Sequence, residues 1–486
     1  MGIVLKQSFL NTLILFLGFA IGGINVLFLY THFLDEDYFG LITFLLSTAN
    51  ILLPLVVFGM QHTVIKFFSS YATKIEQDRF LTASLILPLF IIIPLAFVGI
   101  LAYENIANWL AKENPLIKNY TYLIFLIAIF MGYFEVFYAW SKVKFQSVFG
   151  NFIREIFARV CVSILLIAVY FNYLTNQEFI YAVVVVYALR TLIMKLYAFW
   201  IYTPKITLKI PSNIKQITSF SLYIIVAGSA AGILLEIDKF MIPQMEQLAE
   251  VAYYSVGIYI ASVVAIPTRA MQQITNPITA HELSKNNIAE VENLYKETSI
   301  NLLLVGGLLF LLINLNVEDL YELINKPEYT KGIIVVLIIS TAKLVELALG
   351  TGNAILINSK YYKIFFYLSV AMAVSVIVLN HWLIGMLGIK GAAIATLIVV
   401  FSYSFIKIIY IKSKLNIQPF SKKTLHIILI ILILYIFIYA LPFAFTPIVN
   451  IVVKSIIIAT VYIAIVKYFK ISDALEKQII YFKRKK

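Results

Sequence analysis

The sequence predicts an all-α, polytopic membrane protein of about fourteen transmembrane helices, and three observations carry that prediction. Of 486 residues, 62% are apolar and only 13% charged, with a mean hydropathy of +0.92. A soluble domain carries about 45–50% apolar and about 25% charged residues, so this chain lacks the polar atoms to cover its own surface in water. Apolar runs of about 20 residues, the length a helix needs to cross a hydrocarbon core of about 30 Å, recur along the chain. The basic residues fall in every second connection between those runs.

The first span, 8–31, follows Lys6 and is too long for the apolar core of a signal peptide. A second span follows at once, so the first is read as an uncleaved helix. The next spans are 38–62, opened by Asp35-Glu36-Asp37; 81–103, with Pro88 and Pro94; 120–141; and 155–172, whose start is crowded by Arg154, Glu155 and Arg159. Then come 178–201, 217–239 and 248–270. The longest stretch outside the spans, 271–298, sets Ile288, Val291, Leu294 and Tyr295 at helical spacing among charges, which predicts a short interfacial helix. Spans nine to fourteen are 299–317, 332–353, 363–385, 388–411, 423–444 and 447–468.

An even count puts both termini on one side, and the basic residues say which. With the N-terminus inside, about 28 of the 38 Lys and Arg residues lie on the cytoplasmic side, Lys66, Lys74, Lys142, Lys144, Arg154, Lys205, Lys407 and Lys412 among them. The outside loops hold only Lys112, Lys118, Lys326, Lys331 and Lys390, and are acidic at 35–37 and 318–328. The net charge of +13 is therefore a topology signal and calls for no nucleic-acid partner.

Several chemistries are excluded. Cys161 is the single cysteine, so no disulfide framework or cysteine zinc site can form. The five histidines are scattered without ligand spacing, and no metal or cofactor is expected. Gly350-Thr351-Gly352 follows no strand and has no P-loop lysine, so it is no nucleotide loop.

Two stretches look like diverged copies. Glu36 to Gly40 opens a span containing Pro54, and Glu250 to Gly257 opens one containing Pro267. That offset fits an N-terminal six-helix lobe over 1–210 and a C-terminal one over 211–415, two appended helices over 416–470 and a basic cytoplasmic tail over 471–486. Particular motifs then resemble a known family, the polysaccharide transporters (Wzx-type oligosaccharide flippases) of the MOP flippase superfamily. They are Leu5-Lys6-Gln7-Ser8; Tyr38-Phe39-Gly40 ahead of Phe58-Gly59; and Asp238-Lys239 before Ala252-Tyr253-Tyr254. Gly388-Ile389-Lys390-Gly391-Ala392-Ala393 leading to Thr396 completes the set.

The resemblance implies a MATE-like inverted V of two lobes that moves a polyprenyl-pyrophosphate-linked oligosaccharide across the bacterial cytoplasmic membrane by alternating access. Such a repeat unit would belong to O-antigen, lipopolysaccharide, capsule or exopolysaccharide. Polysaccharide polymerase and glycosyltransferases are the implied protein partners, and membrane lipids the surroundings. Drug exporters of the superfamily often carry a carboxylate in span one, and the peptidoglycan-precursor flippases an Arg there. This chain has neither, only Asn25 and Gly22-Gly23.

An ionisable residue in mid-bilayer costs at least about 2.5–3.5 kcal/mol, so each is a functional candidate. Arg190 and Lys343 are the leading substrate-binding candidates, from opposite lobes, because cations must replace the lost hydration of a pyrophosphate. Lys195, Lys239 and Asn25 join them. Glu135, Glu346 and Asp238 are the ion-coupling candidates, and Gly22, Gly23, Pro54 and Pro267 the hinge candidates. Plainer readings stand beside these: Lys343 pairing with Glu346 at i, i+3, Glu135 pairing with Arg190, Lys195 and Lys239 reaching to the headgroups, and Lys454 as a lipid-edge or inter-helix residue. An ion-coupled multidrug exporter is the alternative transporter. A membrane polymerase or ligase is disfavoured because no large external loop with Arg or His exists, so no catalytic residue is expected.

Overall fold

The computed structural model describes residues 2–207, 209–469 and 471; of the tail expected over 471–486, all but Ile471 lies outside the described residues. Among the described residues there is no β-strand. The helices of the first half are α1 (Gly2–Ile24), α2 (Tyr30–Phe33), α3 (Glu36–Val56), α4 (Met60–Phe67), α5 (Lys74–Ile86), α6 (Leu89–Leu101), α7 (Tyr103–Leu110), α8 (Thr121–Val143), α9 (Ser147–Phe152), α10 (Ala158–Tyr170), α11 (Asn176–Ile201) and α12 (Ile214–Met241). The second half holds α13 (Leu248–Ser262), α14 (Ile266–Ser284), α15 (Ile288–Asn314), α16 (Val317–Ile324), α17 (Ile333–Ala348), α18 (Gly352–Asn358), α19 (Tyr362–Leu387), α20 (Ile389–Leu415), α21 (Lys422–Tyr439) and α22 (Pro447–Tyr468).

Eleven of these helices or their continuations are long and apolar enough to cross a membrane, and two bent pairs raise the number to thirteen. The bent pairs are Ile214–Ala230 with Gly232–Gln244, at 47°, and Pro327–Ala348 with Gly352–Asn358, at 54°. The run 147–170 is also continuously helical, through a π-helical turn at Ile153–Phe157. It misses the criterion because Arg154, Glu155 and Arg159 crowd its first half, the same residues that marked the start of span five.

Helix breaks have local causes. Pro54 cannot donate to the ladder, and α3 ends two residues later. Phe58 and Gly59 then adopt φ of 53° and 63°, and α4 starts at Met60. Gly350, at φ 50°, performs the same service between α17 and α18. Pro267 sits in the first turn of α14, directly after a 3-10 turn, Val263–Ala265, that interrupts the α-helical ladder between α13 and α14. Gly22 and Gly23 precede a π-helical turn, Asn25–Leu29, that joins α1 to α2.

The chain packs as two compact units, Met1–Ser255 with Val376–Ile389, and Val256–Ser375 with Lys390–Lys486. In the first, Trp140, Phe134, Phe80 and Met194 lie at the centre of an aromatic core built by α4, α5, α8 and α11. The second is filled by Leu302, Leu303, Leu311, Ile427 and Ile458 from α15, α21 and α22, so the two last helices are an integral part of that unit.

The interfacial helix expected within 271–298 is not a separate element. Residues 288–298 form the first three turns of α15, and their apolar face (Val291, Tyr295) is buried against Ile355, Leu356, Ile411 and Ile417. The amphipathic spacing was real, but its apolar face meets other helices of the second unit rather than lipid.

Candidate functional site

The first unit collects its intramembrane charge on α8, α11 and the 147–170 run. Arg190, on α11, is only 6% exposed. Its guanidinium lies over the Phe134 ring at 4.0 Å and the Tyr187 ring at 5.1 Å. Its Nε is buried without a hydrogen-bond partner, and no carboxylate lies within ion-pair distance among the described residues. Two cation–π contacts contribute about 0.5–2 kcal/mol each. They hold the guanidinium without pairing its charge.

Glu135 does not pair with Arg190; its partner is Arg154, at 3.8 Å. Arg154 also holds Glu155 at 3.1 Å, and Arg159 holds the other oxygen of Glu155 at 3.3 Å. Lys142 lies 3.8 Å above the Tyr138 ring, with Arg154 5.4 Å from the same ring. Arg154 and Arg159 thus share Glu135 and Glu155, while Lys142 and Arg190 rest on aromatic rings, so the four cations exceed the two carboxylates by two positive charges. Arg154, 36% exposed at its side chain, is the most accessible member of the ion-paired set.

Backbone packing fixes this cluster. Gly18 of α1 is pressed against the 147–170 run: a β-carbon there would come within 2.7 Å of the Glu155 carbonyl oxygen and 2.8 Å of an Arg159 nitrogen. Asn25 is buried in the same seam, donating to the Arg159 carbonyl at 2.9 Å and accepting from Ser163 at 2.6 Å. It ties the π-helical turn Asn25–Leu29 to α10 rather than facing open space. Where α8 ends, Lys144 lies 4.0 Å above the Tyr202 ring and 4.7 Å from Phe68; this burial pushes its pKa down, opposed by Asp78, while Lys74 adds to the lowering.

The other candidates lie apart. Asp238 is buried at the end of α12, where it accepts hydrogen bonds from Tyr254 and, at 2.7 Å, from Asn380. Lys239 pairs with Glu236 at 2.9 Å rather than reaching beside Asp238. Lys195 is exposed on α11. In the second unit Lys343 pairs with Glu346 at 3.2 Å along α17. Lys454 pairs with Asp319 at 2.6 Å, and Asn450 donates to the other oxygen at 2.8 Å, so Lys454 ties α22 to α16.

One buried cation escaped the sequence reading. Lys407, counted there with the cytoplasmic rim, is 2% exposed on α20. It donates to Asn353 and lies 3.7 Å above the Tyr403 ring and 5.4 Å from Phe365. Its position near the end of an apolar span gave no sign of this, because burial depends on which helix packs beside it.

The motif residues acquire physical roles here. Gly40 meets the Leu248 carbonyl so closely that a β-carbon would overlap it, and Phe39 stacks on Tyr30 at 4.5 Å. Tyr253 donates to Glu36 while Tyr254 donates to Asp238. Gly388 turns the chain at φ 59° between α19 and α20, and Ala392, Ala393 and Ala395 are fully buried just beyond it.

Comparisons with known proteins agree with this arrangement. A search of curated proteins found no match. Among solved structures, a lipid II flippase MurJ in an inward closed conformation superposes with a TM-score of 0.75 at 13% identity, over 95% of this chain and all of that one. An inward-facing multidrug resistance MATE family transporter of the MOP superfamily gives 0.59 at 15% identity, over 83% and 94%. An outward-facing multidrug resistance MATE family transporter of the MOP superfamily gives 0.56 at 13%, over 85% and 96%. At these identities the likeness establishes the fold, that of a multi-pass membrane protein. The sequence itself matches the family described as polysaccharide biosynthesis protein over residues 4–281. That match takes in Tyr38-Phe39-Gly40 and the Asp238–Tyr254 pair, and since it covers more than half of the 486 residues, this chain belongs to the polysaccharide biosynthesis protein family.

Proposed function

We propose that this protein is a flippase for a polyprenyl-pyrophosphate-linked oligosaccharide in the bacterial cytoplasmic membrane, working by alternating access with both termini in the cytoplasm. The observation that carries the reading is Arg190: a buried guanidinium held on two aromatic faces, with no carboxylate within ion-pair distance among the described residues. An intramembrane cation kept without a counter-ion is costly, and a passing phosphate anion offsets that cost. Family membership supports the polysaccharide pathway, and the MurJ-like fold supports a lipid-linked cargo. The lobes over 1–210 and 211–415, fourteen spans and an ion-gradient drive belong to the same proposal. Glu135, Glu346 and Asp238 are its coupling candidates, with bends at Gly22-Gly23 and near Pro54.

The test is translocation in proteoliposomes. A fluorescent lipid-linked oligosaccharide incorporated in one leaflet should become accessible to an impermeant reagent on the other, and Arg190→Ala should abolish the transfer. Protein that leaves the lipid on its original leaflet, yet expels small amphipathic cations down an imposed ion gradient, would point to the multidrug exporter instead.

A further inference from the structure

We propose that Lys142, Arg154 and Arg190 form a ladder along α8 that conducts a diphosphate group from the cytoplasmic end of that helix to the middle of the membrane, with Glu135 as the counter-charge that yields to it. The inference rests on the flippase reading and adds the path and the group recognised. Phe134, Tyr138 and residue 142 are spaced i, i+4, i+8, so they line one face of α8. At 1.5 Å per residue the three positions span about 12 Å of backbone, against about 15 Å for half of the hydrocarbon core, and the two rings that carry the cations lie 6.0 Å apart.

Each rung is built alike. Arg190 rests on Phe134 at 4.0 Å, and Tyr138 carries Lys142 at 3.8 Å and Arg154 at 5.4 Å. Aromatic faces hold these cations in place without consuming the N–H donors that an oxyanion requires. The rungs lie about 6 Å apart along the helix, close enough for a diphosphate to engage the next before leaving the last. Glu135 lies between the two rings in sequence, and at 3.8 Å it makes the longer and weaker of the two ion pairs to Arg154. It is therefore the partner an incoming anion displaces. The excess of two positive charges in the cluster matches the two negative charges of a pyrophosphate diester.

The experiment titrates the detergent-purified full chain with inorganic pyrophosphate, and with inorganic phosphate for comparison, by calorimetry at low and moderate salt. Pyrophosphate should bind more tightly than phosphate, and Lys142→Gln and Arg154→Gln should each weaken it about tenfold. Glu135→Gln should tighten it, a gain that a misfolded variant cannot mimic. Equal affinity of the parent, Lys142→Gln and Arg154→Gln for pyrophosphate, or no gain in Glu135→Gln, overturns the ladder. Proteoliposome transfer separates this claim from the one beneath it. A protein that binds pyrophosphate through these residues but moves no lipid-linked sugar refutes the flippase and leaves the ladder standing. Normal transfer by both Gln variants refutes the ladder alone.

Discussion

Replacing Arg190 with Met should make the protein more stable while stopping its work. The guanidinium is 6% exposed and has no ion pair, so its presence in mid-membrane costs at least about 2.5–3.5 kcal/mol on insertion scales. Contacts at 4.0 and 5.1 Å to Phe134 and Tyr187 return about 0.5–2 kcal/mol each. Methionine removes the cost, keeps much of the apolar contact with both rings and leaves no carboxylate bereft, since Glu135 and Glu155 have Arg154 and Arg159. If methionine kept none of the ring contact the balance would run from about −1.5 to about +2.5 kcal/mol, and the contact it does keep moves this to the favourable side, a gain of up to about 2.5 kcal/mol. Unfolding in mixed micelles of increasing denaturing detergent measures the difference, and proteoliposome transfer measures the activity. If Arg190→Met were less stable than the parent by about 2 kcal/mol or more, Arg190 would be a structural residue. If it were stable and still transferred lipid at the parental rate, Arg190 would have no part in transport.

Three other sets of substitutions test the packing. Gly40→Ala forces a β-carbon into the Leu248 carbonyl and should destabilise by about 1–3 kcal/mol or prevent folding, whereas Gly99→Ala meets open space in α6 and should gain about 0.5–1 kcal/mol; parallel thermal survival of monodisperse protein compares them. Asn353→Ala deprives the buried Lys407 ammonium of its acceptor and should cost about 1–3 kcal/mol, while Lys407→Met should be close to neutral, as measured by the same detergent unfolding. Asp319→Ala strands Lys454 and should cost about 3–5 kcal/mol, and the double variant Asp319→Ala, Lys454→Met should recover most of it.

What could be read from the sequence was whatever a single helix determines alone. Hydropathy located the spans, and Pro54, Gly59 and Gly388 lie at or beside breaks that the backbone dictates. The motif Tyr38-Phe39-Gly40 was recognisable as a pattern, yet its cause, an approach to the Leu248 carbonyl, lies some two hundred residues away. Contacts between helices were beyond reach for the same reason. The sequence offers Arg190 as the partner of Glu135, whereas the residue at 3.8 Å is Arg154, which its position places on the cytoplasmic rim. Lys407 belonged to the rim by position and to the interior by packing. For residues 288–298 periodicity reveals an apolar face but not what covers it, which is Ile355, Leu356, Ile411 and Ile417 of neighbouring helices.

The intramembrane cations now fall into two sets by their partners. Lys239, Lys343 and Lys454 each have a carboxylate within about 3 Å, and removing one of them would leave the other charge stranded. Such pairs account for themselves. Arg190 has aromatic rings where a carboxylate would serve better, and Lys407 an amide and a tyrosine face. A cation–π contact is weaker than a buried ion pair, but it does not cancel the charge. It keeps the field of the cation available to something that is not part of the protein. Phe134 and Tyr187 thus hold Arg190 without cancelling its charge, which is what the proposed passage of a phosphate anion requires of it.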